Sequence, residues 1–217
     1  MTLAIFDLDN TLINGDSDVL WGEFLGQHGH VDSGSHQREQ QRYYHAYLAG
    51  ELDILEFLRF QLAILTNHDE QTLLIWRRSY VAEKIRPIIL PKALQLLGHH
   101  RDLGHRLLII TATNRFLTEP IAELLGVDHL IATEPEVVNG RYSGKVQGIP
   151  SFAQGKVARL RDWLSTYDEN LDNSWFYTDS HNDLPLLELV TYPFAVDPDP
   201  TLADEAHKRN WPIISLR

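Results

Sequence analysis

The 217-residue chain is 43% hydrophobic and 23% charged, the balance of an ordinary globular protein, and its length suits one compact domain or a core with a modest insertion. A formal net charge of −11 without any Lys/Arg run argues against a nucleic-acid partner. The absence of cysteine excludes disulfides, thiolate zinc sites and cysteine nucleophiles.

The chain starts Met-Thr-Leu-Ala-Ile-Phe-Asp, with neither the basic flank nor the small-residue cleavage site of a signal peptide. No apolar run reaches bilayer length. The expectation is a cytoplasmic protein that keeps away from membranes; nothing in the sequence speaks to oligomeric state. Residues 2–6 form an apolar run ending at Asp7, too short for a helix, and read as a buried strand. Residues 16–86 are rich in Gln, His, Leu, Tyr and Glu, and Leu52, Leu55, Leu58, Leu62 and Leu65 recur at helical spacing, so this stretch reads as several helices, closed by Pro87 and Pro91.

Beyond Pro91 the pattern alternates. A helix over 92–103 ends at Gly104, and an apolar strand from Arg106 to Ile110 stops at Thr111. A helix over 116–125 ends at Gly126, and Leu130 to Ala132 suit a short strand. Asn139-Gly140 is the preferred two-residue turn for a small hairpin over 137–146. A helix over 155–165, a strand from Trp175 to Thr178, a helix over 183–190 and a strand over 193–196 complete the series. Strands alternating with helices predict an α/β fold, a Rossmann-like doubly wound parallel sheet. The helical stretch 16–86 interrupts this series, so the expected division is a core of 1–15 and 87–217 with an inserted helical cap of 16–86.

Three of the apolar strands end on polar residues: Asp7 and Asp9, then Thr111 to Asn114, then Asp179 to Asp183. Ligands of open parallel sheets bind outside the carboxyl ends of the strands, so these clusters should meet in one crevice. In Asp7-Leu8-Asp9 one carboxylate can attack phosphorus, and the other can protonate a leaving oxygen and then activate water. Magnesium, a hard oxygen-seeking cation, offsets the repulsion between two carboxylates and a phosphate dianion. Alone, Asp-x-Asp is more often a pair of solvated turn residues.

Asp7-Leu8-Asp9-Asn10-Thr11-Leu12 resembles the first motif of the haloacid dehalogenase superfamily of phosphatases. Ile109-Ile110-Thr111-Ala112-Thr113-Asn114 resembles the second, Gly155-Lys156 the third, and Thr178-Asp179-Ser180-His181-Asn182-Asp183 the fourth. The match covers nearly the whole chain, and the cap resembles that of the phosphoserine phosphatase branch. The resemblance implies a magnesium-dependent phosphomonoesterase of small phosphate esters. Asp7 would be nucleophile and metal ligand, and Asp9 general acid/base and metal ligand. Asp179 would be the third metal anchor, supported by Asn182 and Asp183. Thr111, Ala112 and Lys156 would hold the phosphoryl group. Thr111 also suits a helix cap at a strand-to-helix turn, and Asp183 suits a cap as well as a metal ligand.

In phosphoserine phosphatases a cap glutamate holds the substrate amine and a cap arginine its carboxylate. Counted from the first motif, Asp16 falls at the glutamate position and Gln61 at the arginine position, with Arg59 two residues away. Glutamine cannot make the bidentate ionic clamp, which favours an amino-alcohol phosphate such as histidinol phosphate. Trp21, Phe57, Phe60 and Trp76 are candidate stacking surfaces or plain core filling. The eleven histidines lack a ligand spacing and read as solvated. Phosphoserine hydrolysis, phosphoryl transfer to an alcohol and a non-catalytic binding role on the same scaffold are the alternatives.

Overall fold

The computed structural model describes residues 2–217. Strand β1 (Leu3–Phe6) is followed by four helices, α1 (Ser17–Gln27), α2 (Ser33–Leu48), α3 (Ile54–Thr66) and α4 (Glu70–Tyr80). A π-helical turn (Val81–Ile85) and a short 3-10 turn (Arg86–Ile88) lead to α5 (Pro91–Asp102), β2 (Arg106–Asn114), α6 (Arg115–Leu125) and β3 (His129–Thr133). The hairpin β4 (Pro135–Val138) and β5 (Arg141–Val146) precedes α7 (Gln154–Tyr167) and β6 (Trp175–Thr178). Then come α8 (Leu184–Leu187), β7 (Tyr192–Val196), α9 (Pro200–Arg209) and β8 (Ile213–Ile214).

Six strands form one parallel sheet in the order β3-β2-β1-β6-β7-β8. The chain leaves β1 toward β2 and β3, then returns to build β6, β7 and β8 on the other side. The strand order therefore reverses between β1 and β6, the switch point where open α/β sheets hold ligands. Each residue of β1 is fully buried, and alternate side chains serve opposite faces. Ala4 and Phe6 pack with residues of α1, α5 and α6, whereas Leu3 and Ile5 pack with Val157 and Leu160 of α7, Leu186 of α8 and Leu202 of α9. The fold is the doubly wound α/β class that the alternation predicts.

The helical reading of the segment after β1 agrees with α1 to α4. Trp21, Phe24, Leu62, Leu65, Leu73 and Tyr80 of these helices join the hydrophobic cluster that contains Phe6. The segment thus packs continuously onto one face of the sheet. The hairpin lies against α3, where Gly144 leaves room for the Thr66 methyl group. Its turn carries Asn139 and Gly140 at φ of 52° and 75°, the left-handed conformations that the Asn-Gly pair accepts.

Several boundaries differ from the sequence expectation. β2 does not stop at Ile110 but continues to Asn114, with an irregular register against β3 between Ile110 and Asn114. Thr111 therefore lies inside a strand, and the residue that caps α6 is Asn114, whose side chain accepts from Leu117 N at 3.3 Å. The helix expected over 183–190 is only α8, one turn long. α9 and β8 were not anticipated, although Asp199-Pro200 is a cap followed by proline at the first helical position.

Before α7 the backbone is tight. A Cβ on Gly155 would lie 2.0 Å from the Pro150 carbonyl oxygen, so only glycine fits there. Gly155→Ala is expected to cost about 1–3 kcal/mol, the usual range for overpacking, and to lower Tm by several degrees. Thermal unfolding of the purified variant checks this; an unchanged Tm would show that the neighbouring carbonyl yields freely.

Candidate active site

The carboxyl ends of β1, β2 and β6 open into a cavity of about 290 Å³. Asp7, Asp9, Thr111, Ala112, Lys156, Asp179, Asn182 and Asp183 all line it, and Asp16 joins them from the start of α1. Asp7 follows β1 directly, and its N–H bonds to the Tyr177 carbonyl of β6 at 2.9 Å. Asn10 adopts the left-handed region at φ 56°, which Asn tolerates, turning the chain sharply after Asp9.

Lys156 on α7 is buried between two carboxylates. Its Nζ donates to Asp7 Oδ1 at 3.0 Å and to Asp183 Oδ2 at 2.8 Å. Thr178 also donates to Asp183 Oδ2, at 2.7 Å. Asp183 caps no helix with its side chain; it anchors the lysine instead. Asp9 accepts from Ser17 N at 2.7 Å and from Thr113 Oγ1 at 2.9 Å. Asp179 accepts from Thr11 Oγ1 at 3.1 Å, and its own N–H returns a bond to the same oxygen. Thr111 Oγ1 lies 3.4 Å from Asp9 Oδ2 and accepts from Thr113 N at 3.2 Å.

Burial dominates the electrostatics. It lifts Asp7 to about 7, where Asp183 and Asp9 add to the rise and Lys156 opposes it. Asp9 rises to about 6 from burial and the neighbouring Asp16, and Asp179 to about 8 from burial, Asp7 and Asp183. Burial also raises Asp16 and Asp18. Burial alone would lower Lys156, but Asp183 and Asp7 outweigh it and keep the ammonium charged.

Such crowding of hard oxygen donors suits a magnesium ion. Among the described residues, no three His, Cys, Asp or Glu side chains converge in a metal cluster. Magnesium accepts that, since it ordinarily takes one or two carboxylates and fills its sphere with other oxygens. The charge pattern agrees: Asp7 and Asp183 raise Asp179, and Asp183 and Asp9 raise Asp7, the like-charge crowding that a divalent cation relieves.

Not every candidate reaches the cavity. Gln61 is buried on α3 behind Gln40, to whose Oε1 its amide donates at 3.4 Å, and Gln40 is the residue that lines the cavity. Arg59 is exposed on α3 and stands outside it. A one-residue displacement along a helix turns a side chain by about 100°, so position counting alone cannot choose the inward face. Of the four expected aromatic surfaces only Phe57 lines the cavity. Trp21 is core, packed on Phe24 and Tyr80; Phe60 lies on His36 and Tyr43; Trp76 stacks on His30 at 3.7 Å.

The sequence reading missed Tyr43, Tyr47, Phe152, Asp18 and Asp199, all of which line the cavity. Tyr43 and Tyr47 stand four apart on α2, a spacing that places them on one helical face and was there to be noticed. Tyr47 Oη meets Ser180 Oγ at 2.8 Å, tying α2 to the loop after β6. Asp199 accepts from His181 N and pairs with His181 Nδ1 at 2.8 Å. His28 pairs with Glu83 at 2.9 Å, so it is not merely solvated.

A doubly wound sheet with clustered carboxylates and one buried lysine at its switch point defines a carboxylate-based active site on a Rossmann-like fold. The model of the haloacid dehalogenase-like hydrolase family matches residues 4–188. The chain belongs to that family, and within it to the phosphatases. It is 42% identical to a histidinol-phosphatase of Neisseria meningitidis serogroup C over 219 residues, covering 99% of both chains. A protein of unknown function from Bordetella pertussis Tohama I superposes with a TM-score of 0.94 at 40% identity, covering all of both chains. A substrate-bound phosphoserine phosphatase shares the fold, with a TM-score of 0.71 at 18% identity, covering 100% of this chain and 93% of that one. Among the described residues no helix is long and apolar enough to cross a membrane.

The raised carboxyls predict how stability depends on pH. Asp7 and Asp179 stay protonated in the folded chain up to about 7 and 8, whereas both are ionised in the unfolded chain above about 4. The folded state then binds more protons, so metal-free stability falls as pH rises toward 8 and levels off above it. Below about 6.5 a buried His100, held at about 4, works the other way. Melts of the metal-free protein from about pH 6.5 to about pH 9 should show Tm falling and then flattening, with a shallower fall in Asp7→Asn. A Tm that climbs through this window would contradict the assignment.

Proposed function

We propose that this chain hydrolyses the phosphomonoester of a small amino alcohol without a carboxylate, histidinol phosphate being the leading candidate. The observation that carries the reading is the charge pattern of the cavity wall. Among its lining residues Lys156 is the one cation, and Asp7 and Asp183 already hold it. Among the described residues no arginine lines the cavity, so a substrate carboxylate would be buried without a partner, at a large desolvation cost. Asp16, by contrast, offers an anion to an amine, and Tyr43, Tyr47, Phe57 and Phe152 offer ring faces to a flat or cationic group. A cavity of about 290 Å³ suits a metabolite of this size. The 42% identical relative named a histidinol-phosphatase supports the same choice.

In this mechanism a carboxylate oxygen of Asp7 attacks phosphorus, and the P–O bond to the leaving alcohol breaks. The leaving oxygen takes the proton of Asp9, which its raised pKa of about 6 lets it carry. Asp9 then takes a proton from water as that water attacks the aspartyl-phosphate, releasing inorganic phosphate and restoring Asp7. Lys156 holds Asp7 by hydrogen bond and faces the phosphoryl oxygens as a point charge. A magnesium ion would be held by Asp7, Asp179 and the backbone carbonyl of Asp9, and would supply the positive charge that lets carboxylate and phosphate dianion approach. The helices α1 to α4 act as the cap that surrounds the leaving group, leaving the β1–β6 end to the phosphoryl group.

Two experiments test this reading. Asp7→Asn should abolish turnover while leaving circular dichroism unchanged, since an amide forms no acyl-phosphate. Chelation should likewise abolish activity. Magnesium should restore it and should raise Tm more at about pH 8 than at about pH 6, because it competes with protons for the same oxygens. Full activity after exhaustive chelation would contradict the metal assignment.

The substrate is tested by steady-state kinetics on histidinol phosphate and phosphoserine side by side. The expected kcat/KM is at least about ten-fold higher for histidinol phosphate, and Asp16→Ala should narrow the gap by weakening an ionic contact. A clear preference for phosphoserine would mean that another group receives the carboxylate.

A further inference from the structure

We propose that Asp18 is a positioning residue: it carries a proton and, through Thr113, aims the Thr113 hydroxyl at Asp9. The inference rests on the reading of Asp9 as the acid/base group. Asp18 sits in the first turn of α1, two residues beyond Asp16, is 4% exposed and lines the cavity. Among the described residues no lysine, arginine or histidine pairs with it. Its side chain contacts Thr113 Oγ1 through Oδ2 at 3.3 Å and Asn114 Nδ2 through Oδ1 at 3.3 Å.

Thr113 decides the proton count. Its one hydroxyl proton faces two carboxylates, Asp9 Oδ2 at 2.9 Å and Asp18 Oδ2 at 3.3 Å. A hydroxyl donates one bond and accepts through its lone pairs. If both aspartates were bare, one would face a lone pair, and a buried unsatisfied contact of that kind is costly. The shorter contact marks Asp9 as the acceptor. The longer one becomes a hydrogen bond when Asp18 Oδ2 carries the proton and donates to Thr113.

The other oxygen of Asp18 is assigned by the neighbouring amide. Asn114 Oδ1 accepts from Leu117 N as the cap of α6, so its Nδ2 is turned toward Asp18 Oδ1, which must be an acceptor. One protonated carboxyl satisfies both contacts, accepting on Oδ1 and donating from Oδ2. Burial, with Asp16 and Asp9 nearby, raises Asp18 well above the ordinary range, in keeping with this state. The phenol of Tyr80, donating to Ser17 O at 2.7 Å, closes the same region from α4 without offering a cation.

An ionised Asp18 would instead be a second amine site, and the two roles separate experimentally. Asparagine is neutral, has the same shape and can donate to Thr113; leucine can do neither. The test measures kcat and KM for Asp18→Asn, Asp18→Leu, Thr113→Val and the Asp18→Leu/Thr113→Val double variant. The substrate is whichever of histidinol phosphate and phosphoserine the unmodified enzyme turns over faster. Asp18→Leu and Thr113→Val should each lower kcat about ten-fold, the worth of one hydrogen bond to a charged group. Asp18→Asn should restore most of kcat with little change in KM. The double variant should be no slower than Thr113→Val alone, since both cut one link.

Tm of each variant is recorded, so that a folding defect in the leucine variant is recognised; the asparagine result decides in that case. An Asp18→Asn enzyme that keeps kcat but loses substrate affinity would make Asp18 an ionised amine contact and overturn the proposal. So would additive losses in the double variant. Asp9→Asn serves as the reference. If it turns over at the unmodified rate, the acid/base reading fails and this inference with it. If it is slow while Asp18→Leu is not, this inference alone fails.

Discussion

Carboxylates removed from water at one end of a sheet, around a single ammonium, set the terms for the rest of the molecule. Asp7, Asp9, Asp16, Asp18, Asp179 and Asp183 all line one small cavity, and among the described residues that line it only Lys156 opposes them in charge. A buried carboxylate without partners would neutralise or unfold its surroundings. Each of these therefore has a donor supplied from elsewhere in the chain. Thr11 serves Asp179, Ser17 N and Thr113 serve Asp9, Val19 N serves Asp16, and Thr178 and Lys156 serve Asp183. The site is thus distributed over β1, α1, β2, α7 and β6, and it exists only when all five elements are docked.

The same constraint explains why backbone irregularities gather here. Asn10 in the left-handed region folds the chain back after Asp9 so that Ser17 N reaches its carboxylate. Gly155 permits a carbonyl approach that side chains forbid, and Lys156 follows it directly. The continuation of β2 past Ile110 keeps Thr111 and Thr113 extended, so that both hydroxyls approach Asp9 Oδ2. Strain and register shifts of this kind concentrate where function overrides local preference.

The helices inserted after β1 shape the opposite side. Their apolar residues share the hydrophobic cluster of Phe6, while Tyr43 and Tyr47 of α2 turn toward the cavity. The Tyr47 contact with Ser180 joins these helices to the loop that carries Asp179. On the proposed reading, this wall of rings and carboxylates would select by charge, favouring amines over acids.

The sequence by itself determined the alternation of strands and helices and the doubly wound class, because buried parallel strands must be short, continuous apolar runs and their helices need caps and stops. It also marked the ends of three strands as chemistry, since the carboxyl ends of parallel strands converge on one crevice. What it left open was decided by rotation and register, which no local pattern encodes. Counting offered Gln61 or Arg59 for the cavity, but how α2 and α3 pack turns Gln40 inward, with Gln61 behind it and Arg59 exposed outside. Trp21 and Trp76 are as apolar as Phe57, yet only Phe57 lies where the helices leave space. Thr111 looked like the end of a strand because the apolar run ends there, but pairing with β3 carries the extended backbone on to Asn114. Asp18 reads as an ordinary first-turn helix acid until tertiary structure encloses it against Thr113 and Asn114. Hydrophobic period is a property of neighbours along the chain; which side chain meets which is a property of the packed elements, and the site is made of the latter.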